Sequence, residues 1–403
     1  MNWVMTSSPY IKTGSKHIFV VCRIMNVLCK AYCGFLVSFG GKALLNSVSS
    51  SRLLPLSILF LSSATYTRHQ GSASTSTGDA MSETKSQTYA PSTNPKGEFV
   101  RKDSTFRNWI TADGSSGFKA ETDRYHLYVS LACPWAHRTL VVRALKGLQD
   151  FLPYTVVDWF LGGEGWSFTD QKPKCTLDTV NGAKLLKEIY FKADASYSGR
   201  FTVPVLWDKK TNTIVNNESS EIIRMLNKEC NAFCATSEQR NLDLYPEQLK
   251  DKINELNGWV YPMINNGVYR AGFAKSQEAY DVAVREVFDG LDKVEGILAD
   301  SRYLAGSALT EADVRLFTTL IRFDTVYHGH FKCNKKRIID YPNIWGFVRD
   351  LYQNEAIKAS VDQQHIQNHY LQSHLGINPF GIVPIGPDLD FDEPHGRDAK
   401  FTA

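Results

Sequence analysis

The stretch "VSLACPWAHRTLVV" (129–142) places one cysteine, Cys133, between an apolar run and a helical run. Pro134 follows it. Proline suits the first turn of a helix, where its missing N–H costs nothing. The unpaired N–H groups and the dipole of that turn favour negative charge. A thiol in this place is expected to ionise more readily than usual and to act as a nucleophile. The plainer alternative is a buried structural cysteine at a strand end. Position 136, where a dithiol motif would place its second cysteine, is Ala136. A disulfide formed at Cys133 would therefore wait for an external thiol.

Two more features lie downstream. Val203-Pro204 opens a strand, where a proline belongs because it cannot donate to the ladder. A cis bond there would turn the Val203 amide and carbonyl outward, toward an extended peptide. "NNESSEII" puts Glu218 and Ser219 at a helix start that can take a carboxylate. Alone, these read as an edge proline and a routine N-cap. Together with Cys133 they match the sulfur, the cysteinyl backbone and the γ-glutamyl end of glutathione.

These residues need elements to hold them. "YHLYVSL" (125–131) has the β-branched and aromatic content of a strand. "PWAHRTLVVRALKGL" (134–148) has helical apolar spacing, with Gly147 near its end. "YTVVDWF" (154–160) is a second strand, so Cys133 falls at the strand-to-helix junction of a βαβ unit. After a polar insertion (161–198), "FTVPVLWD" and "TIVNN" predict a hairpin, and "SSEIIRMLNKE" a helix. This is the thioredoxin-type order. From about residue 245 the pattern turns helical, with long 3.6-residue periodicity. In "LTEADVRLFTTLIRF", Thr310 and Asp313 form a capping-box pair. The fold class is α/β followed by all-α. The expected boundaries are 101–235 for a thioredoxin-like domain, 240–375 for a helical domain and 376–403 for a tail.

Composition restricts the function classes. The chain has 403 residues, 43% of them hydrophobic, which suits two globular domains. A net charge of +3 is no nucleic-acid signature, and Lys335-Lys336-Arg337 reads as a solvated loop. Eight cysteines in this length make no disulfide scaffold. Cys230 and Cys234 lack a partner pair, and His365 with His369 lacks a third ligand, so no metal site is expected. Those two histidines are expected on a helix surface. Residues 1–78 carry seven basic residues and no Asp or Glu. They read as a transit peptide to mitochondrion or plastid, or as a leader upstream of a start at Met81, which would leave the protein cytoplasmic. "LLPLSILFLSS" (53–63) is short for a membrane span and Pro55 interrupts it, which leaves a signal anchor as a third reading of the leader; no stable membrane insertion of the body is expected. Residues up to 100 read as leader and disordered linker, with order starting near "FRNWI" (106–110).

The motifs resemble the glutathione transferase superfamily. In detail, "ACPWAHRT", "GEGWSF", "TVPVLWDKKTNTIVNNESSEIIRM", "LNGWVYPMINNGVYRAGFA", "TEADVRLFTTLIRFD", "HFKCNKKRI" and "DEPHGRD" look like its xi class, the glutathionyl-hydroquinone reductases. The resemblance covers roughly residues 100–400. It implies that Cys133 is the nucleophile and that Trp166 packs on glutathione. Val203 would pair with the cysteinyl backbone, Glu218 and Ser219 would hold the γ-glutamyl group, and Arg200 would meet the glycyl carboxylate. Tyr269 and Tyr370 would face the hydroquinone hydroxyls. It also implies glutathione as co-substrate, a glutathionyl-hydroquinone as substrate, and a homodimer joined through the helical domain. The rival readings are an omega-like thiol transferase or dehydroascorbate reductase, a conjugating transferase, and a non-catalytic binding module.

Overall fold

The computed structural model describes residues 91–401. The basic leader lies outside the described residues. Eighteen short and long elements follow in order. They are β1 (Ile110–Thr111), β2 (Phe118–Lys119), β3 (Tyr125–Val129), α1 (Pro134–Leu145), β4 (Tyr154–Val156), α2 (Leu186–Ala193), β5 (Val205–Asp208), β6 (Thr213–Asn216) and α3 (Ser219–Lys228). The helical part comprises α4 (Ser237–Asn241), α5 (Lys250–Val260), α6 (Gly267–Gly272), α7 (Gln277–Asp300), α8 (Glu311–Arg322), α9 (Pro342–Tyr352), α10 (Glu355–Lys358), α11 (Gln363–Ser373) and α12 (Arg397–Lys400).

The main sheet has the order β4-β3-β5-β6. β3 pairs parallel with β4, Leu127 opposite Tyr154, and antiparallel with β5, Leu127 opposite Leu206. All five residues of β3 are buried, as a strand covered on both faces must be. α1 is buried almost all round, because the sheet covers one side and the helical part the other. It stops at Leu145, and Gly147 takes a left-handed φ of 61° beyond it. The thioredoxin-like sheet followed by an all-helical part is the predicted fold class.

Order reaches further back than "FRNWI". Phe99 is buried against Tyr269 and Phe273, and the Lys275 N–H donates to the Gly97 carbonyl (2.9 Å). A polar, Ser/Thr-rich composition hid one aromatic anchor. α8 starts as predicted, with Asp313 accepting from the Thr310 N–H and hydroxyl, both at 2.8 Å.

Two π-helical turns interrupt the helical part, Tyr261–Asn265 after α5 and Phe323–Tyr327 after α8. Such turns are rare and concentrate at functional sites. Neither shows in the apolar periodicity.

The two parts are joined by buried polar bonds. Arg224 of α3 binds Glu311 of α8 through Nε (2.9 Å) and Nη2 (2.7 Å). His365 and His369 of α11 are buried, contrary to the surface placement expected. Their rings contact backbone carbonyls, His365 Nε2 at Pro173 of the insertion (2.7 Å) and His369 Nδ1 at Trp159 just before it (2.7 Å). They clamp that stretch to the helical part.

Candidate active site

Cys133 caps α1 in an extended conformation, with Pro134 at the first helical position. Its Sγ–H donates to the carbonyl of Val203 at 3.5 Å. The Val203–Pro204 peptide is cis. Thiol and strand start therefore meet, although β5 is an interior strand and the proline lies ahead of it rather than on a sheet edge. Cys133 is half-buried, whereas Cys175, Cys230, Cys234 and Cys333 are buried and free. Burial pushes the thiols of Cys175, Cys230 and Cys234 up, and that of Cys333 to about 12.

Burial pushes the Cys133 thiol up as well. The N–H groups of Ala136 and Trp135 oppose it, then the charges of Arg322 and Arg101. The helix start does favour the thiolate, as expected, but desolvation outweighs it. The helical part that covers Cys133 lies far away in sequence, so a local reading could not weigh it.

Glu218 is the N-cap of α3 and accepts from the Ser220 N–H at 2.9 Å. Ser219 is buried beside it, and its Oγ accepts from Arg138 at 3.4 Å. Arg138 is itself buried and reaches Asn265 of the first π turn at 3.0 Å. Burial, followed by nearby Arg315, disfavours its charge. Arg200 lies half-buried just ahead of Val203, and its carbonyl accepts from the Tyr197 hydroxyl at 2.9 Å. Trp166 is buried and stacks on His369, with ring centroids 5.0 Å apart.

Tyr269 and Tyr370 are brought together although 101 residues separate them, and their hydroxyls share a hydrogen bond. A third tyrosine joins them. Tyr327, on the second π turn, contacts the Tyr370 hydroxyl at 2.9 Å. Burial raises all three pKa values, and the Cys133 charge adds to the effect at Tyr269. These hydroxyls therefore remain protonated and serve as hydrogen-bond donors.

Sequence reasoning missed Tyr327, Trp135 and Arg101. The Trp135 ring lies 5.6 Å from Tyr261 and 6.2 Å from Tyr269. The Arg101 guanidinium lies 4.9 Å from the Trp135 centroid and 5.0 Å from that of Tyr269, and its Nε donates to Asn266 at 2.9 Å. Trp135 was visible inside "ACPWAHRT". Arg101 fell at the edge of the stretch read as linker. Among the described residues no cluster of His, Cys, Asp or Glu could hold a metal ion.

The arrangement is a half-buried thiol beside the cis-proline start of β5, near a helix start and a group of aromatic hydroxyls. Comparison with known proteins accords with it. Residues 132–229 match the family described as glutathione S-transferase, N-terminal domain, and residues 277–350 match its C-terminal domain. The chain is 57% identical over 311 residues to glutathionyl-hydroquinone reductase YqjG of Escherichia coli, covering 76% of this chain and 94% of the relative. It is 47% identical to glutathionyl-hydroquinone reductase PcpF of Sphingobium chlorophenolicum, covering 72% and 90%. It is 52% identical to a Schizosaccharomyces pombe protein named glutathione S-transferase omega-like 2, covering 72% and 94%. The glutathione-bound structure of the E. coli protein superposes with a TM-score of 0.71, covering 73% of this chain and 97% of that one. The xi glutathione S-transferase of Phanerochaete chrysosporium, 53% identical, also gives 0.71, covering 73% and 99%. The chain belongs to the xi class of the glutathione transferase family, the class of the glutathionyl-hydroquinone reductases.

Proposed function

We propose that the protein reduces glutathionyl-hydroquinones to hydroquinones through a Cys133–glutathione mixed disulfide. The observation that carries the reading is the group of hydroxyls from Tyr269, Tyr370 and Tyr327 beside Cys133, the one thiol among the described residues that is not fully buried. The relatives named for this activity support it.

In the first step the substrate ring shifts to its keto form, with a proton on the carbon that bears sulfur. The tyrosine O–H groups favour this form by donating to the ring oxygens. Cys133 thiolate attacks the glutathione sulfur. The new S–S bond forms as the C–S bond breaks, and its electron pair restores the aromatic ring as a phenolate, which becomes hydroquinone by taking up the proton that the second glutathione thiol gives up. A second glutathione thiolate then attacks the mixed disulfide, releasing oxidised glutathione and Cys133 thiolate. The kinetics should be ping-pong. Ala136 removes the internal thiol that would compete with this second glutathione. Val203 and the Glu218–Ser219 helix start hold the glutathionyl group that Cys133 takes up, with Trp166 and Arg200 at its flanks. Glutathione is a co-substrate, and the chemistry calls for no metal. The working form is a homodimer joined through the helical part.

The test is mass spectrometry after incubation with a glutathionyl-hydroquinone. A glutathione adduct on the Cys133 peptide, with hydroquinone released, is the expected result. Cys133→Ser should give neither. Absence of both in the unmodified protein would overturn the reading. The name of the S. pombe relative favours the omega-like alternative, which predicts faster turnover of dehydroascorbate than of the conjugate.

A further inference from the structure

Arg322 is the C-terminal residue of α8 and is fully buried. Its Nε donates to the Ala132 carbonyl at 2.9 Å, and Nη2 to the Leu131 carbonyl at 3.0 Å. These are the two residues immediately before Cys133. Nη1 donates to the Thr318 carbonyl at 2.7 Å and to His137 Nδ1 at 2.9 Å. A guanidinium can only donate, so His137 must accept at Nδ1 and carry its proton on Nε2. That N–H faces Ser360 Oγ at 2.9 Å, and the Ser360 hydroxyl passes the chain on to the Ile357 carbonyl at 2.6 Å. The chain runs in one direction and leaves His137 neutral. Burial and the Arg322 charge both press its pKa down.

Among the described residues Arg322 has no carboxylate partner. Its acceptors are three carbonyls and a neutral imidazole. A buried cation is ordinarily paired with an anion, because dipoles alone compensate it only in part. Buried Arg124 is paired in this way, with Asp208. Buried Arg138 also lacks a carboxylate, but its acceptors lie on α3, the first π turn and α8, whereas Arg322 is tied to the two residues before Cys133, and the one anion the chemistry creates there is the Cys133 thiolate.

We infer that Arg322 is a positioning residue that fixes the Cys133 loop from the helical part and supplies the buried counter-charge for the Cys133 thiolate. The inference rests on Cys133 being the nucleophile and is independent of which conjugate it attacks. Every element around the thiol contributes a group. α1 offers the Trp135 and Ala136 N–H groups, with neutral His137 and cationic Arg138. α8 offers Arg322, α6 offers Tyr269, and the segment before β1 offers Arg101. Of the cations in this shell, Arg322 alone is bonded to the chain on which the thiol is mounted.

Alkylation of the full chain by iodoacetamide, followed against pH on the Cys133 peptide by mass spectrometry, tests this without any substrate. The four buried cysteines named above serve as internal controls. Arg322→Gln keeps one pair of N–H donors and loses the charge. Its alkylation midpoint should rise by about one pH unit, a tenfold loss of thiolate at a fixed lower pH. Arg322→Lys keeps the charge, and its midpoint should stay within about 0.3 unit of the parent, because the Coulomb term survives. An unchanged midpoint in folded Arg322→Gln, or a full-unit rise in Arg322→Lys, would overturn the inference. A measurement on the parent protein needs no variant. A buried counter-charge is poorly screened, so the midpoint should move by less than about 0.3 unit between low and high salt. A midpoint that climbs with salt would assign the role to half-exposed Arg101 instead. Absence of conjugate reduction in the parent protein, with the variant midpoints shifted as expected, would count against the proposed substrate and leave Arg322 in its role.

Discussion

Tyr370 donates or accepts at both of its neighbours, Tyr269 and Tyr327, so it is the middle of the hydroxyl row. Removing its oxygen breaks both of these hydrogen bonds, whereas removing that of Tyr327 leaves the Tyr269–Tyr370 bond in place. Tyr370→Phe should lower kcat on a glutathionyl-hydroquinone about 100-fold, and Tyr327→Phe about 10-fold, in the range for a lost donor at a developing charge. Resolution of a preformed Cys133–glutathione disulfide by glutathione should be untouched in both, because that step involves no ring. Equal loss in the two half-reactions would show that the tyrosines act on the thiol rather than on the ring. At this scale the sequence was legible where chemistry dictates a residue type. Cys133, Val203 and the Glu218–Ser219 pair could be read from their own neighbourhoods. Tyr269 and Tyr370 needed the family resemblance, since a tyrosine in a helix looks the same in a core. Tyr327 and Arg101 were invisible, because what qualifies them is a neighbour distant in sequence.

The helices that carry these side chains approach closely where glycine allows it. At Gly272, the end of α6, an added Cβ would fall inside the Phe331 ring. Phe331 in turn stacks on Tyr327 and meets Tyr269 edge-on, with centroids 5.5 and 5.4 Å away. Gly272→Ala should therefore cost about 1–3 kcal/mol by overpacking and depress conjugate turnover by disturbing the hydroxyl row. Gly258, within α5, has open space where its Cβ would go. Gly258→Ala should raise stability by about 0.5–1 kcal/mol, as expected inside a helix. Urea unfolding of the pair, read beside turnover, checks both signs. Helix existence was plain from periodicity, and α8 even from its cap. The π turns were not, because one extra residue in a turn shifts the apolar phase by less than a short helix can reveal. Yet those turns place Asn265 and Tyr327.

Over the whole molecule, burial has collected neutral histidines. Desolvation holds His126, His330 and His369 down at about 4, and His137 and His374 well below their ordinary value. The unfolded chain titrates them near 6.5. Between those limits the unfolded state binds more protons, so stability rises with pH and is lost as pH falls from about 6.5 toward 4. Asp313 opposes this, since burial pushes its carboxyl up to about 6 and its contribution is lost as pH rises through that value. Asp324, also raised by burial, acts in the same sense as Asp313, and five groups outweigh these two. The urea midpoint should fall steeply between pH 6.5 and 5; a flat profile would contradict the burial of these rings. The clasp from Arg322 to the Leu131 and Ala132 carbonyls has one further consequence, for chimeras. The helical half brings the hydroxyl row with it, but it also brings a cation fitted to one particular loop. Grafted onto a thioredoxin-like half whose loop offers no two carbonyls there, it would strand that charge. Exchange of halves between relatives should succeed only when loop and arginine travel as a matched set.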